Sequence, residues 1–165
     1  MATLLYNALT GPGNNSKLNY VISDYLGKGR FTTVFQVREV STNTLHAVSC
    51  FSLISGCNVL NLATELNRII ALEHTNLVKY NDLKLSSALC FIRSEYQDWS
   101  VRKQIQTFGK LEESLVKTYV RSIMKGIKYL HLKKMAHGSL NCSNIKIDAC
   151  GNLRLLKPGN FIHLL

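Results

Sequence analysis

Apolar and polar positions alternate along YVISDYLGKG (Tyr20–Gly29) and TTVFQVREV (Thr32–Val40), two runs rich in β-branched and aromatic residues, and this pattern predicts two strands. STNT, Ser41–Thr44, is turn chemistry leading into LHAVSCFSL, a third strand, so the three form an antiparallel meander. The period then changes. In VLNLATELNRIIAL, Leu62, Leu66, Ile69 and Ile70 recur at helical spacing. Leu77–Leu85 and Ala88–Tyr96 return to strand patterning. The strongest helical signal runs from about Glu112 to His131, where Val116, Tyr119, Val120, Ile123, Met124, Ile127 and Leu130 fall on one face. Glu112 and Glu113 stand near its start and Lys133 and Lys134 follow its end, as the helix dipole favours. NIKIDA (Asn144–Ala149) and NLRLL (Asn152–Leu156) predict two short strands joined by a turn at Cys150–Asn152. Residues 1–18, with the cluster GPGNNS, read as a flexible tail. Five strands with a helix after the third, followed by a mainly helical region, make an α+β domain. Periodicity alone goes no further.

Composition narrows the function classes. Hydrophobic residues are 46% of the 165 and charged residues 18%, a globular balance with enough apolar material for a core. Lys and Arg outnumber Asp and Glu 20 to 10, a net charge of +10. Such an excess suits nucleic acid, an anionic membrane or an acidic partner. There is no RNA-binding aromatic motif, zinc-finger spacing or extended basic run, so a solvated basic face is the plainer reading and nucleic acid is not expected. Cys50, Cys57, Cys90, Cys142 and Cys150 are odd in number and scattered, which fits reduced thiols in an intracellular, cytoplasmic protein. The first residues make a poor signal peptide, and no apolar run approaches the ~20 residues needed to span a bilayer.

Several short motifs follow one another in a fixed order. Gly27-Lys28-Gly29-Arg30-Phe31-Thr32-Thr33-Val34 lies between two strands, and Ala47-Val48-Ser49 lies in the third. Glu65 sits on the helix, followed by His74-Thr75-Asn76-Leu77-Val78. Ser94-Glu95-Tyr96 ends a strand; Phe108-Gly109-Lys110 and Glu113–Val116 introduce a helix that closes on Tyr129-Leu130-His131. His137 and Asn144 bracket a loop, and Gly151–Leu155 leads to Lys157-Pro158-Gly159. Singly these are weak, because glycines between strands are usually turn residues. In this order and spacing they resemble the protein-kinase domain from Asn19 onward: the glycine-rich loop with Thr32 for its third glycine, the Ala-x-Lys strand, the helix glutamate, the hinge, the H-R-D-L-x-x-x-N loop and the D-F-G turn. The phrases at Asn19–Gly29, Phe108–Val116 and Gly126–His131 are similar to the STE-type group, with MAP kinase kinase kinases and septation or mitotic-exit kinases as the nearest sub-families. The resemblance implies a five-stranded antiparallel small lobe over about 19–96, with its helix, and an incomplete, mainly helical large lobe over about 97–165. Only Asn160–Leu165 follow Gly159, so the resemblance implies a truncated domain. The face of the Glu112–His131 helix that the missing part would cover is then expected to be partly exposed, as a surface for self-association or a partner.

The resemblance also marks three departures. Phosphoryl transfer needs a lysine on the α/β-phosphates, an aspartate to receive the substrate proton and a second aspartate on magnesium. Those positions hold Ser49, Ser139 and Lys157, with Gly138 where the family has arginine. A serine hydroxyl holds its proton too tightly to act as a base near neutral pH without another group to activate it. Lys157 puts a cation where a cation should bind. Three losses on three limbs of the mechanism are hard to repair together, so no catalytic residue is assigned. Glu65 and Asn144 survive; without its lysine, Glu65 reads as a solvated residue or the partner of another cation. Lys28 could reach phosphates, but a solvent-exposed turn lysine is the simpler reading. Lys157 could neutralise phosphates so that nucleotide binds without metal, against the plainer expectation of a surface lysine in a frayed terminus. His137 is expected in the core. Gly27, Gly29, Val34, Ala47, Glu95, Tyr96, Asn144 and Ile145 outline a nucleotide cleft by resemblance, and Val34, Ala47 and Ile145 are equally ordinary core residues. The expectation is a kinase-like binding module, a pseudokinase, that needs no cofactor. ATP is allowed, without magnesium, and the expected partner is an active kinase or its scaffold. The alternative is a weak or unconventional ATP-binding serine/threonine kinase.

Overall fold

The computed structural model describes residues 20–29, 32–53, 58–85 and 88–158. The tail expected at residues 1–18, the loop residues Arg30 and Phe31, Cys57 and the stretch from Gly159 onward lie outside the described residues. The chain divides into two compact units. One holds the described residues up to Ile70 together with Tyr80–Tyr96; the other holds Ala71–Lys79 and the described residues from Gln97 onward.

The first unit is a five-stranded antiparallel sheet in the order β1-β2-β3-β5-β4. Its strands are β1 (Tyr20–Lys28), β2 (Thr32–Glu39), β3 (Leu45–Ser52), β4 (Tyr80–Leu85) and β5 (Leu89–Glu95), with α1 (Val59–Ile70) between β3 and β4. The turn after β2 closes through the Glu39 N–H, which donates to the Thr44 carbonyl at 2.9 Å, and Asn43 takes the left-handed conformation that asparagine tolerates. Glu39 accepts from the Ser41 and Thr42 hydroxyls, which tie the turn down. Alternation in β3 buries His46, Val48 and Cys50 on one face. That face joins Tyr20, Val37 and Phe91 in one cluster, with the Arg93 guanidinium over the Tyr20 ring. Helix α1 buries Leu62, Leu66 and Ile69, the positions its 3.6-residue period selects, and packs against β4. Leu62 and Leu66 are completely buried, each contributing about 1.5–3 kcal/mol by transfer out of water.

The second unit holds β6 (Trp99–Ser100), α2 (Val101–Phe108), α3 (Glu113–Leu132), β7 (Ile145–Ile147) and β8 (Leu153–Leu155). The three strands form a small antiparallel sheet in the order β6-β7-β8. Helix α2 begins at Ser100, whose hydroxyl accepts from the Lys103 N–H, and stops at Gly109 at φ 80°. The core gathers Leu72, Leu77, Val101, Tyr119, Leu130, Ile145, Leu153 and Leu155. Helix α3 approaches β8 and the Ala71–Lys79 segment at Gly126. A Cβ there would stand 3.0 Å from Leu155 Cδ1 and 3.2 Å from the Asn76 carbonyl oxygen, so only glycine lets the backbones come this close. The segment is stitched to β8. Asn76 O accepts from Leu155 N at 2.8 Å, Val78 N donates to Leu155 O at 2.8 Å, and Asn76 Nδ2 donates to the Leu153 carbonyl at 2.9 Å. No helix among the described residues is long and apolar enough to cross a membrane.

Candidate functional site

The glycine-rich segment ends β1 and opens β2. Gly27 pairs with Val34 and Lys28 with Thr33, and the Gly29 N–H donates to the Thr32 carbonyl at 2.8 Å. Lys28 is exposed, as a turn lysine would be. Val34 lies directly opposite Ser49, which lies opposite Ile92, so one row of the sheet reads Val34, Ser49, Ile92 across three strands. The next row sets Gln36, Ala47 and Ser94 side by side, with the Ser94 hydroxyl 3.5 Å from the Ala47 carbonyl. Two-residue periodicity therefore places Val34, Ala47 and Ser49 on one face, opposite the buried Val48 and Cys50. Along β2 and β3 the face is half-buried and, Gln36 apart, built from small and apolar side chains. Ser49 carries no charge to offer a phosphate. Glu65, the acid expected to hold a lysine, instead pairs with Arg68 one turn along α1 at 2.7 Å on a half-exposed surface. Glu95 closes β5 opposite His46, and Tyr96 follows it.

The loop before β7 carries the other set. His137 is buried, and its Nδ1 accepts from the Ser139 N–H at 3.3 Å. Burial holds its imidazole below the ordinary pKa, partly offset by the Leu156 backbone, so the ring is a neutral core histidine. Gly138 adopts φ 71°, a region costly for any L side chain. The position where the family has arginine is thus one where this backbone favours glycine. Asn144 Nδ2 donates to the Ser139 carbonyl at 2.7 Å and to its Oγ at 3.1 Å, and the Asn144 carbonyl accepts from Leu156 N at 2.9 Å. The amide of the retained asparagine is thereby committed to the serine that stands in the base position. Ile145 points into the second unit's core, the ordinary role among the two expected of it.

Lys157 overturns one expectation. It is not a surface lysine in a frayed terminus: it is 3% exposed, beside the fully buried Pro158. A run of KPG gives no hint of this from sequence, because lysine is almost never fully buried unless paired. Sequence reasoning also passed over Lys146. Burial, together with the charge of Lys103, lowers its pKa, partly offset by Asp98. It lies opposite Ser100 on one side and Arg154 on the other. Nothing in the residue's own neighbourhood in sequence signals that, but the period-2 pattern of NIKIDA does place it opposite in facing to Ile145 and Ile147. Among the described residues no cluster of three or more His, Cys, Asp or Glu could hold a metal ion. Asn144 is the retained residue that could contribute to one.

The family profile described as "Protein kinase domain" matches residues 20–159. The chain belongs to the protein kinase domain family. Its five-stranded antiparallel sheet with one helix after β3, followed by a partial helical lobe, is that fold in incomplete form. A probable serine/threonine-protein kinase of Dictyostelium discoideum is 31% identical over 82% of this chain. Mitogen-activated protein kinase kinase kinase 5 of Arabidopsis thaliana is 30% identical over 84%, and cytokinesis protein sepH of Aspergillus niger 30% over 86%. The chain spans 22%, 20% and 11% of the length of these kinase-family relatives.

Proposed function

We propose that this member of the protein kinase family is catalytically inactive and works as a binding module, regulating or scaffolding an active kinase in the cytoplasm. The observation that carries the reading is at the catalytic loop. Ser139 supplies no carboxylate, and both its hydroxyl and its carbonyl are engaged by Asn144. A base there would have to take a proton from a substrate hydroxyl, and a serine oxygen accepting a hydrogen bond from an amide has no activating partner for that step. Ser49 and the buried Lys157 remove the other two limbs, phosphate alignment and magnesium binding. The relatives named as MAP kinase kinase kinase and sepH support an STE-type affiliation.

A second reading is nucleotide binding without transfer. Val34, Ala47 and Ile92 keep one face of the first unit's sheet apolar, of the kind a purine uses, and the family's magnesium position carries Lys157 in place of a carboxylate. ATP binding without magnesium follows from that chemistry.

The test joins two measurements. Incubation with labelled ATP, magnesium and a generic serine/threonine substrate is expected to give no phosphate transfer above a protein-free control. Thermal melts alone, with ATP and EDTA, and with ATP and magnesium then report binding, because a ligand of the folded state raises the midpoint by mass action. Phosphate transfer that tracks the purified chain refutes the inactive reading. A shift that requires magnesium refutes the metal-independent site.

A further inference from the structure

Lys146 stands on β7, the middle strand of the second unit's small sheet. The register sets it between Ser100 of β6 and Arg154 of β8, facing opposite to Ile145 and Ile147. Its side chain is half-buried there, yet it makes no ion pair among the described residues. The charged groups around it are engaged with one another. Arg154 Nε donates to Asp148 Oδ2 at 3.2 Å. Lys103 Nζ donates to Asp98 Oδ1 at 3.1 Å and lies 4.6 Å from the centre of the Trp99 ring. Lys103 and Asp98 are also the two groups whose charges reach the Lys146 amine, the first repelling its cation and the second attracting it. An ammonium at this position therefore loses water, meets a like charge and gains no acid of its own. Burial is the larger cause and Lys103 the next, and together they hold the amine below the ordinary lysine pKa. Lys117 is the contrast: it is exposed on α3 and pairs with Glu113 at 2.8 Å.

We propose that Lys146 is an acylation site, an amine that takes a small acyl group from a thioester. The reaction needs the nitrogen lone pair, which only the neutral amine carries. Desolvation and a neighbouring cation are two ways in which a lysine becomes a nucleophile near neutral pH, and Lys146 has both. Its nitrogen attacks the thioester carbonyl carbon. The C–N bond forms, the C–S bond breaks, and the sulfur leaves as a thiol with the proton that the nitrogen gives up. The product is a neutral amide, so burial no longer opposes the side chain and Lys103 no longer faces a second cation. The half-buried position favours an acetyl group over a long acyl chain.

The probe is S-acetyl-N-acetylcysteamine, a small uncharged thioester, incubated with the full 165-residue chain. Hydroxylamine then strips acetyl groups from thiols, and peptide mass spectrometry gives the rate at each lysine. At about pH 7.4 Lys146 is expected to acetylate at least about fivefold faster than Lys117, since each pKa unit changes the neutral fraction about tenfold. The advantage should vanish in urea. It should also shrink as pH approaches about 10, where an ordinary lysine is neutral too. Lys103→Met leaves the Asp98 charge to Lys146 and should slow it, whereas Asp98→Asn removes the attraction and should speed it. Opposite effects on one amine separate the charge cluster from a change in exposure. Melts of both variants report whether they fold; if either does not, the comparison of wild type across pH and urea decides alone. Lys146 reacting no faster than Lys117 in the folded chain overturns the proposal. An advantage that survives urea, or two folded variants that shift the rate in the same direction, overturns it as well.

Discussion

Asp148 holds the β7–β8 hairpin, the element that runs from the catalytic-loop asparagine to Lys157, and replacing it with alanine tests whether that framework rests on one carboxylate. Its Oδ1 accepts from the Cys150 and Asn152 N–H groups at 2.9 and 2.8 Å, and its Oδ2 from Asn152 Nδ2 and Arg154 Nε, both at 3.2 Å. The side chain is 12% exposed. Each backbone bond contributes about 1 kcal/mol net, since water replaces part of it when the acceptor is lost. The Arg154 pair adds less than about 1 kcal/mol. Asp148→Ala is therefore expected to cost about 2–3 kcal/mol, a midpoint lower by about 4–12 °C for a chain of this size. Asp148→Asn keeps an acceptor and loses the charge, and falls between. Burial raises the carboxyl pKa, but the hydrogen bonds from Asn152, Arg154 and Cys150 outweigh it, and the net position is below the ordinary aspartate value. A depressed folded-state pKa means stability that is complete above the unfolded value and lost as pH falls through the folded one. The gap between wild type and Asp148→Asn should thus hold at pH 7, narrow below about pH 4 and close at lower pH. Melts across pH, with hydrogen exchange at the Cys150 and Asn152 amides, read this out. Exchange at those amides unchanged in Asp148→Ala, or a gap indifferent to pH, would refute the reasoning.

Leu130 is fully buried where α3 meets the second unit's core, and Leu130→Ala should cost about 3–5 kcal/mol in denaturant unfolding. Gly138→Arg, which restores the family residue, should destabilise by about 1–2 kcal/mol because the backbone sits at φ 71°; an unchanged melt would mean the loop rearranges freely. Ser139→Ala should change stability by less than about 1 kcal/mol, since the stronger bond from Asn144 goes to the main-chain carbonyl. Cys50 is pushed up to about 12 by burial, so at pH 8 a thiol reagent should label the exposed Cys142 and Cys150 quickly and reach Cys50 only on unfolding.

The meander, α1 and α3 could be read from the chain because their apolar periods are long and unbroken. Helix α2 and β6 could not. VRKQIQTF buries only Val101, so its period is invisible, although the Ser100 cap and Gly109 stop were readable signals. The apolar stripe of α3 was legible as a stripe, but which half packs was not. Hydropathy puts Val120 and Met124 with Tyr119 and Leu130, whereas the contact is centred on Gly126, a residue that hydropathy cannot see. At the candidate site the losses at Ser49, Ser139 and Lys157 were visible as identities. The burial of Lys157 and the bond between Asn144 and Ser139 depend on long-range placement and were not. The buried histidine was anticipated from the resemblance alone, since the family position that His137 matches packs internally.

The stitching of Asn76–Val78 to Leu153–Leu155 has a consequence for how the molecule comes into being. The two partners lie 77 residues apart, so the second unit cannot close its hydrogen-bond ladder until β8 has left the ribosome. Until then Leu77 and the inner side of α3 have nothing to cover them, and the nascent chain carries an apolar surface suited to chaperone capture. The first unit's sheet needs nothing beyond Glu95 and can form well before. A ribosome-arrested series of increasing length, carrying a C-terminal linker long enough for β8 to emerge, should therefore show protease resistance arriving in two steps, the second only after Leu155 is free of the exit tunnel.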